Sequence, residues 1–445
     1  MKIAIVVQRY GCDISGGAEL HSRYIAELLA ATLDVRVYTT CARDYVTWRN
    51  DYSAGVETVN GILVERYAVA RERNVREFSA AQRRVFGRAH TLNEELEWLD
   101  AQGPVSPDLI SRIHATRRDI DFFVFFSLRY YQSFYGAREV PDRAVIVPTA
   151  EREPAIALAI FQPILRSVRA IMYNSAEERA MLQALSGNVD VPGVVTGVGS
   201  RILAPEPARA RQNFGLVKPF LVYVGRIDPN KGCQDLFDFF TAYLDATGRD
   251  LDLVLIGSPA MTIPDHPAIR HLGFVSDQEK FDVISAAHAL VMPSYFESLS
   301  MASLEAWALG RPVITNARCD VLVGQCLRSN AGLYYEDASE FAAVVDLVLG
   351  DASLAARLGD NGRRYYSEHY SWPIIERKYL NMFRHLQASA PAGNIEPLPR
   401  FGGSRPDIPA ASEVLAKVAA GPVLDERRRS SSVRQTVMSP SESRS

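Results

Sequence analysis

Phe220-Leu-Val-Tyr-Val-Gly225-Arg226-Ile-Asp-Pro-Asn-Lys231-Gly232 is the stretch whose reading decides the fold. Its apolar start reads as a short buried strand, Gly225 ends it, and a helix begins near Cys233. Strand, glycine turn and helix make half of a βαβ unit. Glycine lets backbone approach a ligand closely, and the cations Arg226 and Lys231 can converge on one diphosphate from such a turn. Open α/β sheets bind their ligands at the carboxyl ends of parallel strands, which is where this turn would lie. Taken alone, the same residues also read as a solvated basic turn, so the neighbouring sequence has to decide.

Working outward, apolar runs of strand length alternate with segments of helical period. Before the turn they are Ile3–Val7, Val35–Thr39, Ile62–Tyr67, Phe122–Phe126, Ala144–Val147, Ala170–Tyr173 and Val194–Thr196. After it come Leu251–Ile256, His271–Phe274, Ala289–Met292, Pro312–Thr315 and Gly332–Tyr335. Helices are expected over Ala18–Ala31 and Ala176–Leu185, and a long one over Glu77–Leu99. The pattern lapses into Pro, Ala and Arg over Ser200–Lys218, which reads as a linker. The expected fold class is therefore α/β: two Rossmann-like, doubly wound domains facing across a cleft. The expected boundaries are 1–198 for the first, 199–371 for the second, and a helix over 372–387 crossing back onto the first. Residues 388–445, rich in Pro, Ser, Gly and Arg, are expected to form a disordered tail, with a short helix conceivable over 413–420.

Composition narrows the class. A chain of 445 residues with 47% hydrophobic and 23% charged residues is ordinary globular material, long enough for two cores. A net charge of −3 provides no global field to recruit nucleic acid. No apolar run reaches membrane-spanning length, and the start, Met-Lys-Ile-Ala-Ile-Val-Val, reads as a strand rather than a cleavable signal, so the expectation is a cytoplasmic protein. The 5 cysteines and 8 histidines show no metal-ligand spacing, and no metal or cofactor is expected.

A second motif supports the turn: Pro293-Ser-Tyr-Phe296-Glu297-Ser298-Leu299, then a mostly apolar helix through Leu309 that carries Glu305 and ends at Gly310. A glutamate inside a buried helix needs a partner for its charge. Glu297 and Glu305 offer acceptors for sugar or ribose hydroxyls, and the amides of Ser298 and Leu299 face an anion at the helix start.

Arg226…Lys231 followed by Glu297 and Glu305 resembles the donor site of the family 4 retaining glycosyltransferases of GT-B fold, and Gly16-Gly17-Ala18-Glu19 resembles that family's first loop. The start of its final helix is similar to Ser371-Trp372, so the likeness runs over residues 1 to 387. The resemblance implies that Arg226 and Lys231 clamp the donor diphosphate and that Glu305 binds the ribose. It further implies that Glu297, with Ser298 and Leu299, contacts the donor sugar, that Gly16 and Gly17 meet the diphosphate from the opposite domain, and that the base lies by Gly257 and Gly273-Phe274-Val275, with Gly225 also at the donor. The implied reaction moves a sugar from a nucleoside-diphosphate sugar to a glycan or lipid-linked glycan, without a metal, as in bacterial surface polysaccharide synthesis. Anomeric configuration is retained by front-side displacement.

One residue departs from the family pattern. Many relatives carry a histidine where Glu151 stands, so Glu151 is a catalytic candidate, and Glu153 and Arg152 are candidate acceptor contacts. The departure also motivates the alternative of a catalytically silent homologue that binds a nucleotide sugar or a partner. An epimerase on the same fold is a further rival, told apart by consuming donor without acceptor. Asp119/Asp121 and Asp250/Asp252 resemble the metal-binding pair of the GT-A fold, but acidic lead-ins to strands are commonplace. Six arginines between Arg71 and Arg88, around Phe78, Ala81 and Val85, suggest peripheral contact with an anionic membrane on its inner face.

Overall fold

The computed structural model describes residues 1–390 except Ser15, together with Ile395 and Leu398. The expected tail therefore lies almost wholly outside the described residues, as does the helix considered over 413–420.

Among the described residues, fourteen strands form two sheets. The first holds β1 (Lys2–Val6), β2 (Asp34–Thr40), β3 (Gly55–Val59), β4 (Ile62–Tyr67), β5 (Phe122–Phe126), β6 (Ala144–Val147), β7 (Ala170–Tyr173) and β8 (Gly193–Val195), in the order β3-β4-β2-β1-β5-β6-β7-β8. The second holds β9 (Phe220–Val224), β10 (Asp252–Ile256), β11 (Ile269–Gly273), β12 (Ala289–Met292), β13 (Val313–Asn316) and β14 (Gly332–Tyr335), in the order β11-β10-β9-β12-β13-β14. All neighbours are parallel except β3 and β4. Both orders are doubly wound, with helices on both faces. The strand order reverses between β1 and β5 in one sheet and between β9 and β12 in the other. Such reversals leave an open crevice at the carboxyl ends of the strands.

Runs such as Phe122–Phe126 and Leu253–Leu255 are buried throughout, as strands covered on both faces must be. The last helix, Trp372–Ala388, packs on the first sheet although the second sheet precedes it in sequence. Phe383 stacks on Phe122 with centroids 5.4 Å apart, Trp372 meets Tyr24 edge-on, and Arg169 Nη2 donates to the Leu386 carbonyl at 2.5 Å. Burial of Ile375, Tyr379 and Phe383 contributes roughly 1.5–3 kcal/mol each, enough to hold the crossing helix in place.

Three local expectations need correction. The long helix over Glu77–Leu99 is two helices, Val75–Gly87 and Leu92–Gln102, because Thr91 and Glu94 close a capping box that starts the second. The linker contains a helix, Pro207–Phe214, with Pro at its first turn and Arg209 bonded to Asp282. The antiparallel edge strand β3 was not foreseen, since its residues are nearly all exposed and carry no apolar alternation.

Candidate active site

The two cations of the quoted turn stand at the crevice between β9 and β12. Gly225 follows β9 at φ +155°, and Tyr223 Oη donates to the Arg226 carbonyl at 2.7 Å, fixing the turn. Gly232 ends it at φ +70°, where an added Cβ would lie 2.0 Å from the Pro293 carbonyl oxygen. That contact presses the Lys231 turn against the chain leaving β12. Lys231 Nζ consequently reaches Glu297 Oε1 at 2.8 Å, and Glu151 Oε1 of the first sheet stands 3.9 Å away.

These three charges are coupled. Burial opposes the Lys231 charge, but Glu297 and Glu151 outweigh it and hold the ammonium well above its usual range. Burial pushes the Glu151 carboxyl up to about 7; Lys231 pulls it down while Glu297 and Glu153 push it further up. Arg226 is about half exposed and pairs with Asp228 at 2.9 Å. Its guanidinium is thus free to turn toward an incoming anion.

Glu305 found the partner that its burial demanded. Lys280 Nζ and Ser200 Oγ both donate to its Oε1, each at 3.0 Å. Tyr24, on the helix Gly17–Leu29 that begins beside Gly16, feels the charges of Asp277, Lys280 and Glu305. The helix carrying Glu305 starts at Met301 with Ser300 as its cap, so the amides of Ser298 and Leu299 lie just before it rather than within it. Ser298 instead faces the first sheet, where Asn174 Nδ2 donates to its hydroxyl at 3.3 Å.

The remaining candidates divide. Gly225, Gly257 and Gly273 stand side by side at the ends of β9, β10 and β11, and an added Cβ on Gly257 would lie 2.0 Å from the Gly225 carbonyl oxygen. Phe274 just beyond them is 76% exposed, while Val275 packs on the core. Glu19 folds over the helix start so that an added Cβ at Gly16 would meet it at 2.2 Å, whereas nothing lies within 4 Å of one at Gly17. Arg9 holds that Glu19 carboxylate at 2.7 Å. Glu153 is bound by Arg129, and Arg152 reaches across to Asp320. The aspartates considered as a GT-A pair sit at strand starts, the edge opposite the crevice: Asp121 accepts from the Lys2 amide, and Asp252 opens β10. Among the described residues, no group of three or more His, Cys, Asp or Glu is placed to hold a metal ion.

Sequence reasoning missed Lys280, Asn174, Ser200 and Glu178. Glu178 is buried and accepts from the amides of Ala150 at 2.6 Å and Asn174 at 2.5 Å, which fixes the loops that present Glu151 and Asn174. Only Lys280 had a signal, the unpaired charge at 305, and nothing in the sequence said which lysine would answer it. An open cavity of about 380 Å³ joins the halves here, lined by Ala150, Arg152, Met181, Phe296, Glu297 and Arg318. A smaller one of about 230 Å³ lies beside Trp48 and Arg73 of the first half.

On the helix Val75–Gly87, Ala81 and Val85 are buried and Phe78 packs against the same core, while Arg84 and Arg88 pair with Glu97 and Glu94. The apolar stripe amid the arginines therefore points into the protein. No helix of the described residues is long and apolar enough to cross a membrane.

Two doubly wound α/β halves, with the charged turns of one crevice reaching an acid of the other, define the GT-B class of fold. Residues 218–351 match the sequence model of the glycosyl transferases group 1. It is 26% identical over 215 residues to MMP alpha-(1->4)-mannosyltransferase of Mycolicibacterium hassiacum, covering 45% of this chain and 49% of that protein. It is 30% identical over 287 residues to D-inositol 3-phosphate glycosyltransferase of Frankia alni, covering 57% and 66%. The chain thus spans about half to two thirds of the length of these relatives. Among solved structures it resembles Anabaena HepE in complex with UDP-glucose, with a TM-score of 0.63 and 16% identity over 87% of this chain and 100% of that one.

Proposed function

We propose that this chain is a retaining glycosyltransferase that moves a sugar from a nucleoside-diphosphate donor to a glycan or lipid-linked glycan, as in bacterial surface polysaccharide synthesis. The observation that carries the proposal is the Lys231–Glu297–Glu151 triplet, in which residues of both sheets meet at one cation beside a strand-order reversal. The match of residues 218–351 to the group 1 glycosyl transferases and the likeness in fold to a UDP-glucose complex support the donor class.

In this reading Lys231 and Arg226 take the two phosphates, and Lys231 exchanges part of its contact with Glu297 for phosphate oxygen. Glu297 is released to accept from the donor sugar's hydroxyls, and Glu305 accepts from the ribose. The base packs near Phe274 and Val275. Charge that builds on the departing diphosphate is met by preplaced cations, so neither a metal nor a protein nucleophile is required. The acceptor hydroxyl approaches the face that the diphosphate leaves, and a phosphate oxygen takes its proton. Contact with an anionic membrane, where the acceptor is lipid-linked, would run through Arg71, Arg76 and Arg83 by charge rather than by apolar insertion.

Thermal denaturation with nucleoside diphosphates tests the donor site directly. A ligand at 100 times its Kd should stabilise the fold by about 2.7 kcal/mol. No shift with any of the common nucleoside diphosphates, up to millimolar concentration, would refute the proposal.

The Glu151 carboxyl adds a pH dependence. Its pKa in the fold, about 7, lies above the ordinary value, so its ionisation costs stability as pH rises from the ordinary carboxylate range to about 7 and adds no further cost above that. A diphosphate brings more negative charge beside it and binds the protonated form better. Donor affinity should therefore weaken about fivefold between pH 6 and pH 8 for about one pKa unit of coupling. Glu151→Gln should flatten the profile, as followed by calorimetric titration with a nucleoside diphosphate. An unchanged slope in the variant would remove Glu151 from the site.

A further inference from the structure

At the amino-terminal edge of the second sheet, opposite the crevice, three arginines and a histidine converge. Arg211 Nη1 donates to the Leu216 carbonyl at 3.0 Å and Nη2 to that of Ala286 at 3.4 Å, with its guanidinium 5.9 Å from the Phe220 ring centroid. Arg311 Nη1 donates to the Ala287 carbonyl at 3.2 Å. The Arg363 guanidinium lies over Gly310, 2.4 Å from where a Cβ would stand, and donates to the Leu309 carbonyl at 3.4 Å. His288 opens the same edge just before β12.

Two features show that this cluster is incomplete. Arg311 Nε and His288 Nδ1 are buried and without a hydrogen-bond partner among the described residues. The charges that bear on Arg311 are Arg363 and Arg211, and those on His288 are Arg211 and Arg311, all of the same sign. The carboxylate in contact is Asp360, 3.3 Å from Arg363 on its own helix. Carbonyls at helix ends account for part of this, because cations are favoured there. They leave the buried Arg311 Nε–H without a partner and the half-exposed Arg363 with N–H groups open to an incoming anion. Guanidinium forks match the oxygens of a phosphoryl group, and such charge-assisted bonds are the strong ones.

We propose that Arg211, His288, Arg311 and Arg363 form a second anion site that takes a phosphoryl group, remote from the donor crevice. Its occupant neutralises the like charges between the ends of the helices Asp277–Ala286 and Met301–Ala308. The latter helix carries Glu305, so occupancy stiffens the support of the donor site. The site does not rest on the transferase reading, since none of its residues belongs to the crevice.

The test titrates inorganic phosphate into the full chain at low ionic strength while following the His288 imidazole by nitrogen-detected NMR. A parallel arm floats the protein with phosphatidylcholine vesicles with and without phosphatidylglycerol. A saturable His288 shift that persists in Lys231→Ala and weakens about tenfold or more in Arg363→Gln and in Arg311→Gln is the expected result. Arg363 is exposed, so its variant should stay folded if the Arg311 variant does not. Saturation without flotation identifies a small soluble phosphate. Flotation that needs phosphatidylglycerol and is lost in Arg363→Gln identifies a headgroup. Absence of both, or a His288 shift unaltered in Arg363→Gln, overturns the proposal.

Discussion

Replacing Lys231 with alanine should slow sugar transfer by about a hundredfold to a thousandfold, a barrier increase of about 2.7–4 kcal/mol by comparison with loss of one oxyanion-hole donor. Lys231 is the cation on which Glu297 and Glu151 both converge. Without it, two neighbouring carboxylates face the place assigned to the diphosphate, so the loss combines absent attraction with new repulsion. Arg226→Ala should also cost about a hundredfold, but it leaves the Lys231–Glu297 contact intact because Arg226 pairs with Asp228. The two variants therefore separate by donor affinity, with Lys231→Ala the weaker binder. Single-turnover rates with saturating donor, on protein whose circular dichroism matches wild type, decide the matter. Near-normal turnover in both variants would dismantle the clamp.

Glu305→Ala should destabilise the protein by about 3 kcal/mol, the lower end of the cost of breaking a buried pair, since the largely buried Lys280 ammonium keeps the exposed Asp277 at 3.2 Å as a partner. Burial pushes the Glu305 carboxyl up, and Lys280 and Ser200 draw it back, which is the signature of a pair whose members depend on each other. Adding Lys280→Met should restore most of the lost stability, because removing both charges of a buried pair is far cheaper than removing one. Urea unfolding of the two singles and the double measures this. The double variant is also the clean test of ribose binding. If, once stable, it binds a nucleoside diphosphate as tightly as wild type, Glu305 serves only the packing of its helix.

Much of this architecture was legible because it is local. A strand of five apolar residues, glycines at positive φ and a turn capped by Asp228 are set by neighbours in sequence, and Phe220–Gly232 shows all three. The same locality explains the failures. The capping box at Thr91 interrupts a helical period without disturbing its apolar spacing, and the exposed edge strand Gly55–Val59 has no buried face to generate a pattern. The basic stripe around Phe78 has the spacing of an amphipathic helix either way, and only packing told which side it faces.

By itself, then, the order of residues determined the alternation of strands and helices, the glycine turns, and the presence of the two cations and two acids proposed to hold the donor. It did so because backbone conformation and periodicity are short-range properties. Only the tertiary structure decided which charges meet. Glu151 and Lys231 are brought to 3.9 Å from separate sheets, Lys280 was selected for Glu305 from another helix, and the three rear arginines and His288 were gathered from four segments. Coulomb interaction and desolvation act through space and are indifferent to chain distance, so partnership and pKa become defined once the sheets are packed.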